Sequence, residues 1–197
     1  MLQFITKKSE RFSPEEQVRQ AVEGGCHWVE IDMPKAKDEE VRKVAEELIP
    51  LCTDTDTFMI LRNRVDLVEQ LRVSGVYLDK DQAQEASAVR DRLGPHAIIG
   101  VGVASADDVL NLRRADIDYA VLPPVEDCGL ERYAEIVKAV RESECQTAIV
   151  ATGDIKTKDV ESVMATGVSG IAISAGIVDA KDMVVATGEY LIALGQG

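Results

Sequence analysis

The pattern of apolar and polar segments along the chain predicts a strand followed by a helix, repeated eight times. Short apolar runs bounded by turn residues fit strands that are buried on both faces. The predicted strands are residues 2–6, 28–31, 58–61, 75–78, 97–103, 119–122, 147–151 and 170–174. Because strands and helices alternate regularly, the pattern predicts an α/β protein with a parallel sheet.

The segments between these runs place apolar residues three and four positions apart, which is typical of one buried helix face. The clearest helix start is Ser13–Pro14, because serine is a preferred N-cap and proline suits the first helical position. This helix ends at Gly24–Gly25. The other predicted helices are residues 38–51, 65–73, 83–93, 105–115, 130–140, 159–164 and 181–194.

Eight strands that alternate with eight helices are the pattern of a (β/α)8 TIM barrel, here predicted as a single domain over residues 1–197. A doubly wound open sheet is the alternative. The even spacing of the strands favours the barrel. No GxGxxG motif follows the first strand, which argues against a dinucleotide-binding fold.

Two glycine turns follow the last two predicted strands, where barrels of this kind commonly hold phosphate. Gly153 follows the seventh strand and Gly176 breaks the eighth. Such turns expose backbone N–H groups, so Thr152, Gly153, Ser174 and Ala175 are the candidate phosphate-binding residues. Tight turns that need glycine only for its backbone conformation explain the same pattern.

Composition and charge limit the partners. The net charge of −13 argues against nucleic acid, and it suits an anionic substrate only if cations are concentrated at the site. No apolar run is long enough to cross a membrane, and the N-terminal residues do not resemble a secretory signal, so we expect a cytoplasmic protein. The four cysteines form no CxxC pair and only two histidines occur, which argues against a zinc site.

Several short segments, in order along the chain, carry a resemblance to a known family. They are LQFIT at 2–6, AVEGGCHWV at 21–29, RVDL at 64–67, GVYL at 75–78 and GLE at 129–131. These segments resemble thiamine phosphate synthases and the related thiazole tautomerases. The resemblance spans nearly the whole chain and implies the (β/α)8 fold.

The resemblance also implies an activity. Thiamine phosphate synthases join a pyrimidine diphosphate to a thiazole phosphate and release pyrophosphate. In that family, magnesium neutralises the leaving diphosphate while arginine and lysine clamp it. Such a reaction is accelerated mainly by charge stabilisation at the leaving group. A small phosphorylated molecule is therefore the expected partner, and magnesium the expected cofactor.

This chain departs from the family at the positions that carry this chemistry. The clamp arginine is replaced by Asp32, the aspartate expected on magnesium by Asn63, and a further acidic position by Gln82. The family's threonine- and lysine-containing loop after the sixth strand is missing, and Pro123–Pro124 runs almost directly into Gly129. These departures indicate that the pyrophosphate and magnesium clamp is largely lost.

Four residues are candidates to replace the missing groups. Arg62 and Lys80 are the candidate catalytic cations, and Asp79 and Asp81 are the candidate magnesium ligands, because hard cations prefer carboxylates. For Arg62, an ion pair with Asp32 or Asp79 is the alternative to anion binding. The divalent site rests on one spacing motif alone.

The sequence therefore supports three functions. The first is a divergent thiamine phosphate synthase-like barrel that binds a small phosphorylated ligand, weakly or not at all, without the transferase activity. The second is an active synthase with rearranged ligands, which uses Arg62, Lys80 and Asp81. The third is a non-enzymatic partner of a true synthase. Whether the chain is an enzyme, and whether it forms a homo-oligomer, is left open.

Overall fold

A computed structural model describes residues 1–196 of the chain. Eight parallel strands form a closed barrel in which each strand pairs with its sequence neighbours, and β8 pairs with β1 to complete the circle. Leu2 of the first strand lies opposite Ile171 of the last one. The predicted (β/α)8 barrel is therefore confirmed, and the open sheet was the wrong alternative.

The observed elements follow the predicted ones closely. The strands are β1 (Leu2–Ile5), β2 (Trp28–Ile31), β3 (Phe58–Arg62), β4 (Gly75–Leu78), β5 (Ile98–Gly102), β6 (Tyr119–Val121), β7 (Ala148–Thr152) and β8 (Gly170–Ile173). The helices are α1 (Pro14–Glu23), α2 (Asp38–Asp54), α3 (Val65–Leu71), α4 (Ala86–Leu93), α5 (Ala106–Asn111), α6 (Val125–Glu142), α7 (Val160–Met164), α8 (Ala175–Val178) and α9 (Met183–Ala193). Short 3-10 turns occur at Lys80–Glu85, Arg113–Ala115 and Thr157–Asp159.

Two helices differ from the prediction. Helix α6 begins at Val125, whereas the sequence pattern placed its start after Gly129. Gly129 has a φ of 78° and interrupts the helix with a kink, so two helical segments meet there. The short helix α8 follows β8 directly and was not predicted, because its four residues are too few to show a helical period.

The start of α1 shows how local sequence fixes an element. The Ser13 hydroxyl accepts a hydrogen bond from the Glu16 N–H at 3.2 Å, and the Glu16 carboxylate accepts one from the Ser13 N–H at 2.7 Å. This reciprocal capping box satisfies two backbone donors that would otherwise lack partners. Pro14 occupies the first helical position, as the sequence pattern predicted.

The interior of the barrel is filled by aliphatic side chains together with the aromatic rings of Tyr77, Tyr119 and Trp28. Trp28 lies edge-on to Tyr119 with ring centroids 5.5 Å apart, and to Phe58 at 5.3 Å. The Tyr119 ring fits because Gly100 on the neighbouring strand carries no side chain, and a Cβ there would overlap the ring. The larger apolar core lies between the sheet and the helices. No helix in residues 1–196 has the length and apolarity needed to span a membrane.

Tyr133 connects α6 to the carboxyl ends of two strands. Its side chain is buried, and its hydroxyl donates a hydrogen bond to the Pro123 carbonyl at 2.6 Å. The same oxygen accepts from the Thr152 N–H at 3.3 Å. The hydroxyl therefore joins the segment after β6 to the end of β7, and it holds the first turns of α6 near the β7 turn.

We predict that Tyr133→Phe lowers the free energy of unfolding by about 1–3 kcal/mol, because it leaves a buried carbonyl and a backbone N–H without their partner. Urea denaturation followed by circular dichroism measures this change. Tyr77→Phe is the matched control, because the structure shows no hydrogen bond from that hydroxyl among the described residues. Equal stability of the Tyr133 variant and the wild type would contradict the role of this hydroxyl.

Candidate functional site

A cavity of about 390 Å³, lined by both apolar and polar side chains, opens at the carboxyl ends of the strands, and we call it the mouth. Its lining comes from strands on all sides of the barrel. The polar side chains that line it are Gln3, Glu30, Arg62, Asp79, Lys80 and Thr152. Because strand ends converge here, the mouth is the place where a barrel of this kind presents its functional groups.

Arg62, at the end of β3, forms the centre of the mouth. Its Nη1 lies 3.2 Å from an Asp32 oxygen and 3.3 Å from a Glu30 oxygen. Its Nε donates to Asp79 at 3.1 Å, and the guanidinium stacks over the Tyr77 ring at 4.8 Å. Of the two alternatives for Arg62, the structure therefore shows the ion pair. One guanidinium faces three carboxyl groups, and the Asp32 and Asp79 charges alone exceed the single positive charge of Arg62.

Glu30 is a buried acidic residue of the mouth that the sequence interpretation did not single out. It lies in the middle of β2, is 1% exposed, and accepts a hydrogen bond from Gln3 Nε2 at 2.7 Å. Burial, together with the nearby Asp32 and Asp79 charges, raises the pKa of Glu30 to about 8, although Arg62 opposes this shift. A charged residue inside the apolar run WVEI was the available signal.

The candidate metal ligands do not converge on one point. Both oxygens of Asp79 are already engaged, one by Arg62 and the other by Asn63 Nδ2 at 2.5 Å. Asp81 is exposed in the 3-10 turn that follows. No group of three or more His, Cys, Asp or Glu side chains within residues 1–196 is arranged to hold a metal ion. The described carboxylates of the mouth therefore do not form a pre-arranged cluster of three ligands, although magnesium in proteins is commonly held by one or two carboxylates together with substrate phosphates.

Lys80 lies at the rim of the mouth, as the sequence interpretation expected, and its side chain is exposed. Its backbone N–H approaches the end of β5 closely: a Cβ on Gly102 would lie 3.1 Å from the Lys80 nitrogen. The salt bridges described for residues 1–196 do not include Lys80, in contrast to Arg62. Lys80 is therefore the more available of the two candidate cations.

The turns after β7 and β8 form what we call the cup: Thr152, Gly153, Ser174 and Ala175. Gly153 has a φ of 116°, a conformation that favours glycine, and Thr152 donates through its hydroxyl to the Ala172 carbonyl at 3.3 Å. Ser174 precedes α8, so the first N–H groups of that helix have no acceptor within it. The structure brings the four predicted residues to two adjacent strand ends.

A carboxylate of the chain lies on the β7 side of the cup. Glu126, in the first turn of α6, accepts a hydrogen bond from the Asp154 N–H at 2.9 Å. The same oxygen lies so close to Gly153 that a Cβ at that position would overlap it. Asp154 itself points toward Lys156, with an oxygen 3.4 Å from the ammonium nitrogen. The sequence interpretation did not anticipate Glu126 at this place.

A larger groove of about 680 Å³ lies beside the mouth, between the β1–α1 and β2–α2 loops. Lys7, which pairs with Asp179, and the exposed Lys8, Arg11 and Lys35 are its cations, and it shares only Asp32 with the Arg62 cluster. Size alone does not identify a functional site. We place the candidate site in the mouth, because buried polar groups from several strands converge there.

A closed (β/α)8 barrel with buried charged groups at the carboxyl ends of its strands belongs to the class of barrels that bind small molecules at that face. The family model described as thiamine monophosphate synthase matches residues 2–177. The chain belongs to this thiamine monophosphate synthase family. The family resemblance seen in the sequence is thereby confirmed.

Known proteins similar to this chain agree with that assignment. A thiamine-phosphate synthase of Bacteroides fragilis is 37% identical over 200 residues, which cover 96% of this chain and 98% of that protein. One from Pyrococcus abyssi is 30% identical over 91% of this chain and 88% of its own length. The solved thiamine phosphate pyrophosphorylase from Pyrococcus furiosus superposes with a TM-score of 0.85 at 27% identity, covering 99% and 95% of the two chains.

We predict that Glu30 makes the protein less stable as the pH rises. The pKa of Glu30 is about 8 in the folded state against an ordinary value of 4.5, so between these values the unfolded chain releases a proton that the folded chain retains. Each pH unit in this window then removes up to about 1.4 kcal/mol from the free energy of unfolding. Glu30→Gln abolishes this contribution.

Urea denaturation at pH 5 to 9 measures the effect as the difference between Glu30→Gln and the wild type. The variant should gain stability relative to the wild type as the pH rises toward 8, and the difference should level off above that. Glu161→Gln, which removes an exposed helical carboxylate, is the control and should show no such trend. A constant difference across the range would refute the raised pKa.

Proposed function

We propose that this chain is a thiamine phosphate synthase-like barrel that binds a small phosphorylated ligand but does not clamp pyrophosphate. The observation that carries this proposal is the state of Arg62, the cation at the centre of the mouth. Its donors are directed at Glu30, Asp32 and Asp79, so they are already engaged before any substrate arrives.

Electrostatics supports the loss of the clamp. A diphosphate placed in the mouth would meet the Asp32 and Asp79 carboxylates, beside a protonated Glu30, and one guanidinium that already pairs with both aspartates. Like charges a few ångströms apart in a partly desolvated site repel by several kcal/mol. Release of pyrophosphate requires the opposite arrangement, in which cations stabilise the charge that develops on the leaving group.

The chain's own residues can still hold a smaller ligand. The Ser174–Ala175 side of the cup offers backbone N–H groups at the start of α8 to a single phosphate. The organic part of the ligand would enter the mouth, where the protonated Glu30 carboxyl can donate or accept a hydrogen bond.

The four cysteines are free thiols, which supports the reducing cytoplasm as the location.

The test is a synthase assay with the pyrimidine diphosphate, the thiazole phosphate and magnesium over a wide range of protein concentration. We expect no thiamine phosphate above background, because the mouth does not compensate the leaving pyrophosphate. The thiamine-phosphate synthase of Bacteroides fragilis is the positive control for substrates and detection. Tight magnesium-dependent binding of the pyrimidine diphosphate to this chain would also contradict the proposal.

An active synthase with rearranged ligands is the second candidate. It is supported by the 37% identity, over 96% of this chain, to a protein named as a thiamine-phosphate synthase. In this case Lys80 would approach the diphosphate from the rim, and Asp81 would bind magnesium together with the substrate. Product formation in the assay would favour it, and Arg62→Ala and Asp81→Ala should then abolish turnover. Unchanged rates in both variants would argue against these roles.

A further inference from the structure

Glu126 contacts the cup in the way that a ligand phosphate would. A carboxylate, like a phosphate, is an anion that accepts hydrogen bonds from backbone N–H groups. Glu126 accepts from the Asp154 N–H at 2.9 Å and lies directly against Gly153. It thus takes up the backbone donor that directly follows Gly153, on the β7 side of the cup.

The short connection after β6 explains how this side chain reaches the cup. Helix α6 begins at Val125, and the buried Leu122 with Pro123–Pro124 forms the whole connection from β6. Tyr133 then holds the helix against the end of β7. The approach is close, since a Cβ on Gly153 would lie 2.8 Å from the Val125 nitrogen.

The Glu126 side chain can also rotate away from the Asp154 N–H. The residue is exposed, and its described partners do not include a cation. Water can replace both partners of this exposed hydrogen bond, so its loss leaves neither the Asp154 N–H nor the Glu126 carboxylate unsatisfied. Rotation of the side chain toward solvent would uncover the Asp154 N–H without moving the backbone.

We infer that Glu126 is an internal competitor for the phosphate site: its carboxylate occupies the anion position of the cup, and a ligand phosphate binds fully only when this side chain swings out. The inference rests on the proposed phosphate ligand. Glu126 thereby sets the specificity of the cup. A phosphate that cannot displace it contacts only the Ser174–Ala175 side and meets a neighbouring negative charge.

The experiment is a titration with inorganic phosphate at constant ionic strength, followed by the ¹H–¹⁵N NMR signals of Gly153, Asp154 and Ala175. Glu126→Gln removes the charge but retains a hydrogen-bond acceptor, and Glu126→Ala opens the position. Asp127→Asn is the matched control, because it removes one charge from the same helical turn. Glu126→Ala should bind phosphate at least ~10-fold more tightly than the wild type, Glu126→Gln should follow in the same direction, and Asp127→Asn should change the Kd less than ~2-fold.

The outcomes separate this inference from the proposed function. If the wild type and both Glu126 variants bind phosphate equally, the inference is overturned and the phosphate ligand stands. If Asp127→Asn tightens binding as much as the Glu126 variants do, general charge is responsible and the inference is overturned. If only the Glu126 variants bind, the inference is supported and a phosphate ligand of the native protein is not. If no variant binds, both are overturned.

Discussion

Compensation of charge around Arg62 is the constraint on which the mouth of the barrel depends. Its guanidinium joins the ends of β2, β3 and β4 through Glu30, Asp32 and Asp79. Because Arg62, Asp32 and Asp79 are only partly buried, removal of either aspartate leaves a positive charge that water compensates in part. The four residues therefore act as a unit, and a single substitution toward a cationic clamp at Asp32 would place a second cation beside Arg62.

In both the mouth and the cup, carboxylates of the chain itself engage groups that could bind an anion. In the mouth, a cation is present but carboxylates surround it, whereas in the cup, backbone donors are present but Glu126 engages one of them. Both arrangements engage donors that an anion would use. An anion then binds only by exchanging one partner for another, which weakens its binding.

The fold could be predicted from the sequence because it depends on local patterns that repeat, such as buried strands and capped helices. The cup turns were located for the same reason, since Gly153 marks a backbone conformation that few other residues adopt. The occupancy of the site could not be predicted. Glu126 reaches Asp154, 28 positions further along the chain, because the connection between β6 and α6 is short and α6 is kinked at Gly129. In the sequence, the short connection was interpreted as a missing loop, and Gly129 as the boundary of a helix. Glu30 was missed because its significance depends on burial and on neighbours from other strands.

The aromatic cluster inside the barrel has an optical consequence. Trp28 is the chain's single tryptophan, and it begins β2, so it lies at the end of the barrel opposite the mouth. Its indole is packed against Tyr119 and Phe58 rather than against the charged residues. The fluorescence emission of the protein therefore reports solvent entry into the amino-terminal end of the barrel. Opening of the strands shifts the emission maximum of Trp28, while a molecule bound at the carboxyl ends of the strands leaves this maximum unchanged.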